Sequence, residues 1–276
     1  MSDDARDRLV MLSRRWDVAV GTTWETETSV LAFGSRRGRP VVLKVVRREG
    51  DEWDSGEILQ AFQGHGVVRI YEFVAGGMLL ERAMPGESLV PLATSGRDAE
   101  ATAILAKVIK QMSPTSASSQ CPTVHDWAKA FTGYLQSGDE QISRDLVQDA
   151  HGAYMELENS QREVRLLHGD LHHYNVLRDA RRGWLAIDPK GVVAEVEYEC
   201  GAVLRNPVED PDLFTSLGVV ENRVEILART LGASAHRILR WAYTQAVLSA
   251  IWDIEDGEAC PHGAITLAAR LRRMLS

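Results

Sequence analysis

Three oxygen-bearing side chains, Asp170, Asn175 and Asp188, are spaced in a way that suits phosphoryl transfer. Asp170 lies five residues before Asn175 in the stretch HGDLHHYN, and Asp188 follows a short apolar run. A carboxylate can accept the proton of an attacking hydroxyl, and hard oxygen ligands can hold Mg²⁺ against phosphate groups. We therefore expect Asp170 to act as the catalytic base and Asn175 and Asp188 to bind the metal.

A β-hairpin is the predicted element that brings the two metal ligands together. The runs VLR (176–178) and WLAI (184–187) predict short strands, and DARRG between them predicts a turn. When these strands pair, Asn175, just before the first, lies beside Asp188, just after the second. The spacing from Asp170 to Asn175 also matches the catalytic loop of protein kinases.

Two other interpretations of this stretch stay open. Asp170 and Asn175 could simply cap turns, as polar residues commonly do between strands. His168, His172 and His173 could instead bind zinc, for which imidazole is a common ligand. Adjacent histidines point in different directions in any regular conformation, which weakens the zinc interpretation. The matched spacing of all three oxygen-bearing residues weakens the first.

A lysine upstream completes the expected phosphate site. Lys44 is centred in the apolar strand VVLKVV, like the lysine of V-A-I-K that holds nucleotide phosphates and pairs with a glutamate. Glu52, at the predicted start of the following helix, is our choice of partner, with Glu49 and Glu57 as alternatives. A surface-facing lysine is the other interpretation, because lysine side chains often extend along apolar surface to water.

The segment MLLERA (78–83) runs into the Pro-Gly turn of MPGE and is the predicted connector between two lobes. Backbone groups of such a connector can bind an adenine ring. We expect Glu81 to supply a carbonyl contact and Ala83 an amide contact.

Residues 1–83 are predicted to form a β-rich nucleotide-binding lobe, because runs of β-branched and apolar residues alternate with Gly-containing turns. One helix, over residues 51–63, interrupts these strands. Residues 84–276 are predicted to form a helical catalytic and substrate-binding lobe, since most of this stretch is amphipathic at helical spacing. The order of elements favours an α+β fold with two lobes, as in kinases.

Composition limits the expected partners and location. The 276 residues carry a formal net charge of −8, which repels nucleic acid and acidic membranes and favours cationic small molecules. No apolar run approaches the ~20 residues that span a bilayer, and the first ten residues lack a secretory-signal pattern. Three widely separated cysteines indicate no disulfide framework. We expect a cytoplasmic monomer that binds a nucleotide and a cationic small molecule, without nucleic acid or membrane partners.

Together these residues resemble a known family. The stretch from Leu166 to Pro207, which joins H-G-D-L-H-x-x-N to I-D-P-x-G, is similar to the core of the aminoglycoside/hydroxyurea antibiotic resistance kinases, especially their streptomycin 6-phosphotransferases. The resemblance implies a protein-kinase-like fold and transfer of the γ-phosphate of ATP, with Mg²⁺, to a small-molecule hydroxyl. It also implies Asp170 as base, Asn175 and Asp188 as metal ligands, and Lys44 as phosphate ligand.

Three departures from the kinase pattern affect what the site can bind. No G-x-G-x-x-G loop is present, and VGTTWETETSV has one glycine, so Thr26, Thr28 or Ser29 would have to contact phosphate. Pro189 replaces the phenylalanine of D-F-G, which argues against a protein kinase. Ala194 stands where a second glycine is expected, on the substrate side of the site.

Carboxylates could bind a polycationic acceptor such as streptomycin, because guanidinium groups form bidentate hydrogen bonds with them. The candidates are Glu197, Glu199, Asp253 and Glu255. Solvated helix faces are the alternative, since carboxylates prefer the surface. We therefore expect a kinase that inactivates streptomycin-like aminoglycosides. A kinase of hydroxyurea or another metabolite, and a catalytically silent nucleotide-binding protein, are the alternatives.

Overall fold

The structure is a computed structural model, and the residues that it describes are 4–50, 52–112, 121–258 and 261–275. Contacts divide the chain into a first unit, Met1–Glu87 with Asn175–Lys190, and a second unit, Ser88–Tyr174 with Gly191–Ser276. The first is β-rich and the second mainly helical, in agreement with the predicted α+β class. The hairpin is grouped with the first unit, whereas the sequence-based division after residue 83 assigns it to the other lobe; that division remains a prediction.

An antiparallel sheet of five strands, in the order β1-β2-β3-β5-β4, forms the body of the first unit. Its strands are β1 (Ala19–Glu25), β2 (Ser29–Arg36), β3 (Arg39–Val46), β4 (Ile70–Val74) and β5 (Gly77–Glu81). Leu31, Lys44 and Met78 lie opposite one another on neighbouring strands, so their side chains share one face. Leu43 and Val45 alternate with Lys44 and belong to the core on the other face.

Helix α1 (Asp4–Arg15) packs against that core face, although the sequence-based description of this region contains only one helix, farther along the chain. The buried side chains of Ala5, Leu9 and Leu12 recur at intervals of four and three residues. This spacing places them on one stripe of a helix, where each buried leucine contributes about 1.5–3 kcal/mol to stability. The stripe covers a sheet face that would otherwise be exposed.

Helix α2 (Ser55–Ala61) occupies the place of the predicted helix but is shorter than residues 51–63, of which residue 51 lies outside the described part. Glu52 lies in the turn before α2 rather than at its start, so this detail of the prediction is wrong. The Ser55 hydroxyl donates to the Glu52 carbonyl at 2.7 Å, which closes the turn where the helix begins.

The predicted hairpin is present in the first unit. The remaining strands among the described residues are β6 (Pro85–Ser88), β7 (Arg165–Leu167), β8 (Val176–Asp179), β9 (Gly183–Ala186) and β10 (Val192–Ala194). Strands β8 and β9 are antiparallel, and Asp179 pairs with Gly183 at the turn. Arg182 in that turn donates to the Glu81 carboxylate, and the Met84 amide donates to Asp179 at 3.1 Å. These contacts attach the hairpin to the end of β5.

Helices make up most of the second unit. They are α3 (Val90–Leu92), α4 (Asp98–Met112), α5 (Val124–Ser137), α6 (Arg144–Asn159), α7 (Val196–Leu204), α8 (Pro211–Thr215), α9 (Leu217–Leu231), α10 (Ala235–Glu255) and α11 (His262–Leu275). A kinked segment, Ala93–Arg97, joins α3 to α4, and its Ser95 and Gly96 have non-helical backbone angles. Helix α10 is buried along much of its length and contacts α5, α6, α7, α9 and α11. No helix in the described ranges is long and apolar enough to cross a membrane.

A buried arginine connects three of these helices. Arg223 of α9 is fully buried, and its guanidinium lies 2.6 Å from a carboxylate oxygen of Asp98 on α4. It also donates to the carbonyl of Val203 at 2.8 Å and to that of Asn206 at 2.7 Å, at the end of α7. The guanidinium therefore satisfies both an acidic partner and helix-end carbonyls that would otherwise be buried without donors.

Replacement of Arg223 by methionine should lower the free energy of unfolding by ~3–5 kcal/mol, because Asp98 would remain buried without its cation. Urea unfolding of the variant and the parent measures this difference. Arg229→Met is the matched control on α9: it removes an exposed pair with Glu225 and should change the free energy of unfolding by ~0.5 kcal/mol or less. An equally small effect at both positions would contradict the role of Arg223.

Candidate active site

Lys44 is buried on β3, and its ammonium group contacts two carboxylates of the first unit. Nζ lies 2.9 Å from Oε2 of Glu52 and 2.7 Å from Oδ1 of Asp188. Burial disfavours the charged ammonium, but the attraction of Asp188 and Glu52 outweighs burial and raises the pKa of Lys44. The lysine therefore remains a cation, and the interpretation of a surface-facing lysine is wrong.

Glu52 also accepts from the hydroxyl groups that are predicted to contact phosphate. Thr28 Oγ1 and Ser29 Oγ each lie 3.3 Å from a carboxylate oxygen of Glu52. Ser29 is buried at the start of β2, on the sheet face that carries Lys44. The structure thus places both hydroxyls on the partner of the lysine, while their contact with phosphate stays a prediction.

Asn175 and Asp188 flank the hairpin at its open end, as the strand pairing predicts. The Ile187 amide donates to the Asn175 carbonyl at 2.9 Å, which holds the two ends together. Asp188 has a φ of 53°, a conformation that costs ~1 kcal/mol or more for a residue other than glycine and that clusters at functional sites. An amide oxygen and a carboxylate are hard ligands, so this pair fits Mg²⁺ by its donor chemistry.

The expected adenine contacts lie at the end of β5. The Glu81 amide donates to the Arg69 carbonyl at 2.8 Å, and the Glu81 carboxylate accepts from Arg182. Ala83 is buried two residues later. Side-chain contacts therefore hold this segment against the hairpin, and its backbone contacts with a nucleotide stay a prediction.

Asp170 lies in the second unit, on the loop that follows β7. Arg205 Nη2 is 3.3 Å from its Oδ1, and His172 Nε2 is 3.7 Å from its Oδ2. The Asp170 amide lies 3.3 Å from Nδ1 of His168, to which it donates. The carboxylate is thus placed by groups of the same unit, which is more than a turn-capping residue requires.

Glu199, on α7, is buried under this loop, so the structure corrects its prediction as a substrate ligand. Its carboxylate accepts the amides of His168 at 2.7 Å and Gly169 at 3.1 Å. Burial raises the pKa of Glu199 to about 7, although the hydrogen bonds from the loop act in the opposite direction. Gly169 has a φ of 83°, and a β-carbon there would lie 3.1 Å from the Trp127 indole, so this path of the loop favours glycine.

The other three carboxylates predicted to bind the acceptor substrate do not take part in these hydrogen bonds to the loop. Glu197 accepts the Ser234 amide at 3.2 Å, just before α10. Asp253 is half-buried and Glu255 is exposed in the last turn of α10. Partial desolvation of its carboxyl group and the neighbouring Asp256 raise the pKa of Glu255. Substrate contact by Glu197, Asp253 and Glu255 stays a prediction.

Two tryptophans near the loop are absent from the sequence-based set of site residues. Trp127 of α5 and Trp252 of α10 are half-buried and meet edge to face, with ring centroids 5.4 Å apart. The Trp127 indole lies against Gly169, the residue before Asp170. The sequence offers one signal for Trp252, which directly precedes the acidic residues of WDIEDGE. Trp127 has no such signal, because only the fold brings it next to Trp252.

Arg205 is also absent from that set. It follows α7 in the sequence LRNP, inside the stretch that resembles the resistance kinases. No spacing rule connects an arginine after a helix with an aspartate 35 residues earlier. The signal that could have identified Arg205 is its position inside the stretch that resembles the resistance kinases.

The three loop histidines have different surroundings. His173 is fully buried; within the described residues its ring nitrogens have no hydrogen-bond partner, and burial lowers its pKa to about 2. His168 contacts the loop backbone, and the ring of His172 meets that of Tyr174 edge to face. Among the residues that the structure describes, no three His, Cys, Asp or Glu side chains are grouped to hold a metal ion.

The sequence profile of the aminoglycoside/hydroxyurea antibiotic resistance kinases matches residues 15–257. The chain belongs to this family. Streptomycin 3''-kinase of Klebsiella pneumoniae is 35% identical over 242 residues, which are 86% of this chain and 89% of that protein. Streptomycin 6-kinase of Streptomyces glaucescens is 31% identical over 270 residues, 94% of this chain and 86% of that one. Hydroxyurea phosphotransferase of Kitasatospora aureofaciens is 30% identical over 248 residues, 83% and 70% of the two chains.

Solved structures share the fold of this resistance-kinase chain. Choline kinase LicA from Streptococcus pneumoniae matches with a TM-score of 0.67 at 14% identity and covers 99% of both chains. A thermostable variant of the aminoglycoside phosphotransferase APH(4)-Ia, in complex with AMP-PNP and hygromycin B, matches with a TM-score of 0.64 at 17% identity, over 99% of this chain and 98% of that one. These matches confirm the predicted protein-kinase-like fold.

The stability of this kinase should fall as pH rises through the raised pKa of Glu199. The folded carboxyl ionises near pH 7 and the unfolded one near 4.5, so between these values only the folded chain keeps the proton. The stabilising contribution is therefore full below pH 4.5 and lost as pH passes about 7. Glu199→Gln has no such titration, so its free energy of unfolding should improve relative to wild type across this window.

Urea unfolding at several pH values measures this difference, and Glu225→Gln, at an exposed position, is the control. A difference between Glu199→Gln and wild type that does not vary between pH 4.5 and 7.5 would contradict the burial of an ionisable carboxyl under the loop.

Proposed function

We propose that this protein is an ATP- and Mg²⁺-dependent kinase of streptomycin-like aminoglycosides that phosphorylates an acceptor hydroxyl. The observation that carries the proposal is the buried Lys44 cation, held by Glu52 and Asp188. A cation of fixed position can bind phosphate oxygens without prior reorganisation, which is how enzymes stabilise charge that moves during phosphoryl transfer. The streptomycin kinases to which the chain is similar support the choice of acceptor.

The first unit supplies the nucleotide-binding groups in this proposal. Lys44 binds phosphate oxygens, and Glu52 holds the Lys44 side chain in position. The backbone of Glu81 and Ala83 contacts the adenine. Asn175 and Asp188 would hold Mg²⁺, which supplies positive charge to the phosphates when bound. The ion pair between Asp188 and Lys44 fixes the metal-ligand carboxylate next to the phosphate-binding cation.

The second unit supplies the base. Asp170 accepts the proton of the acceptor hydroxyl as that oxygen attacks the γ-phosphate, and the bond from the γ-phosphorus to the bridging oxygen breaks to release ADP. Its loop is fixed by Glu199 through the amides of His168 and Gly169, so the carboxylate has a defined position. A base whose position is set before the substrate arrives avoids part of the entropic cost of the reaction.

A cationic acceptor fits the surroundings of the loop better than a neutral one. Trp127 lies against Gly169, and Trp252 packs against Trp127. Aromatic faces attract cations, and Asp253 and Glu255 on the same turn of α10 as Trp252 add carboxylates that suit guanidinium or ammonium groups. We propose that the acceptor contacts the side chains of the two tryptophans and of Asp253 and Glu255. Glu197, on α7, is a further candidate contact.

Hydroxyurea is the second candidate acceptor, because a hydroxyurea phosphotransferase is among the relatives. It is small and uncharged, so it would gain no charge attraction from the carboxylates of α10, and this favours the aminoglycoside. A catalytically silent nucleotide-binding protein is the least favoured alternative, since Lys44, Asp170, Asn175 and Asp188 are all present. We further propose that the enzyme is a monomer and acts in the cytoplasm, where ATP is available.

A coupled assay of ADP release with Mg-ATP tests the function against a panel of streptomycin, other aminoglycosides, hydroxyurea and choline. Streptomycin should give the highest kcat/KM, and chelation of Mg²⁺ should stop turnover. Asp170→Asn should lower kcat by about 10²- to 10⁴-fold at unchanged ATP affinity, which is the usual contribution of a positioned base.

Mass spectrometry of the product then identifies the phosphorylated hydroxyl, since the relatives include kinases of the 3'' and the 6 positions. ADP release that no panel member stimulates would refute the resistance-kinase function. Near-normal turnover by Asp170→Asn would instead remove only Asp170 from its role.

A further inference from the structure

The guanidinium of Arg205 is directed at Asp170. Nη2 lies 3.3 Å from Oδ1, and the two side chains are only 12% and 18% exposed. A pair that is largely removed from water holds its geometry more firmly than an exposed pair, because separating the charges leaves each of them poorly solvated. Arg205 is therefore placed to restrict rotation of the Asp170 carboxylate.

Arg205 is itself oriented from α10. Its Nη1 lies 3.3 Å from Oε1 of the buried Gln245, whose Nε2 donates to the Tyr198 carbonyl at 2.6 Å. The bond to Tyr198 decides which end of the amide faces Arg205, since only the nitrogen can donate to a carbonyl. Gly201 permits this contact, because a β-carbon there would overlap the Gln245 side chain.

A role as a helix cap does not explain where Arg205 points. Other side chains already bind carbonyls at the end of α7 and just after it: Arg223 donates to Val203 and Asn206, and the Asn206 side chain donates to Ala202 at 2.9 Å. The fork of Arg205 reaches Gln245 on one side and Asp170 on the other.

We infer that Arg205 is a positioning residue for Asp170 and that Gln245 holds Arg205 in place. The inference rests on the phosphate transfer proposed above. With its carboxylate held in one orientation, Asp170 needs less rearrangement when the acceptor hydroxyl arrives. Loss of the guanidinium should therefore lower turnover and leave ATP binding intact.

Arg205→Ala should lower kcat by about 10²-fold, as expected when a reacting group is misplaced, with KM for ATP within about twofold of wild type. Millimolar guanidinium chloride should restore part of this kcat, because the cation can occupy the vacated position. It should not raise kcat in wild type or in Asp170→Asn. Arg205→Lys should be intermediate, since lysine keeps the charge but not the planar fork.

Arg229→Ala, at an exposed position of α9, is the control and should turn over as wild type does. A wild-type kcat in Arg205→Ala would overturn the inference. So would a low kcat in a folded Arg205→Ala, with an unchanged unfolding midpoint, that guanidinium does not raise, together with an equally low kcat in Arg205→Lys. If Arg205→Ala does not fold, wild-type kcat in Arg205→Lys overturns it. Absence of turnover in the wild-type chain would contradict the proposed function itself, whereas an active wild type beside an equally active Arg205→Ala contradicts only Arg205.

Discussion

The position of the proposed base depends on one buried carboxylate. The loop that carries Asp170 has no helix or strand ladder to pair its amides, although His168 within it is fully buried. Glu199 accepts the amides of His168 and Gly169 at 2.7 and 3.1 Å, from a site where water does not compete. Without these bonds the buried amides would lose these acceptors, and the path of the loop would be less restricted.

Helix α7 connects this constraint to the packing of the second unit. Glu199 lies on the helix, Arg205 follows it, and Arg223 of α9 binds its last carbonyls while pairing with Asp98. The first unit contains a buried ion pair of its own, in which the attraction of Asp188 and Glu52 outweighs burial and raises the pKa of Lys44. Each unit thus contains a buried ion pair, Lys44 with Asp188 in the first and Arg223 with Asp98 in the second, whose members cannot separate without leaving a buried charge unpaired.

Local sequence patterns predicted the elements that are local in structure. Lys44 in an apolar strand and the hairpin around residues 175–190 follow from alternation and turn residues, and both are found. Helix α1 also has a local signal, but it is weak, because its narrow apolar stripe lies among many charged residues. The roles of Glu199 and Arg205 depend on pairing between segments about 30 residues or more apart, which no local pattern encodes.

Hydrogen exchange at the amides of His168 and Gly169 tests most directly whether Glu199 holds the loop that carries the proposed base. The exchange should be measured in wild type and in Glu199→Ala, with the amides of α11 as an internal reference. The account predicts slow exchange in wild type, comparable with that of β7, and a selective loss of protection at these two amides in the variant. Wild-type exchange as fast as that of an exposed loop, or protection that survives the substitution, would contradict it.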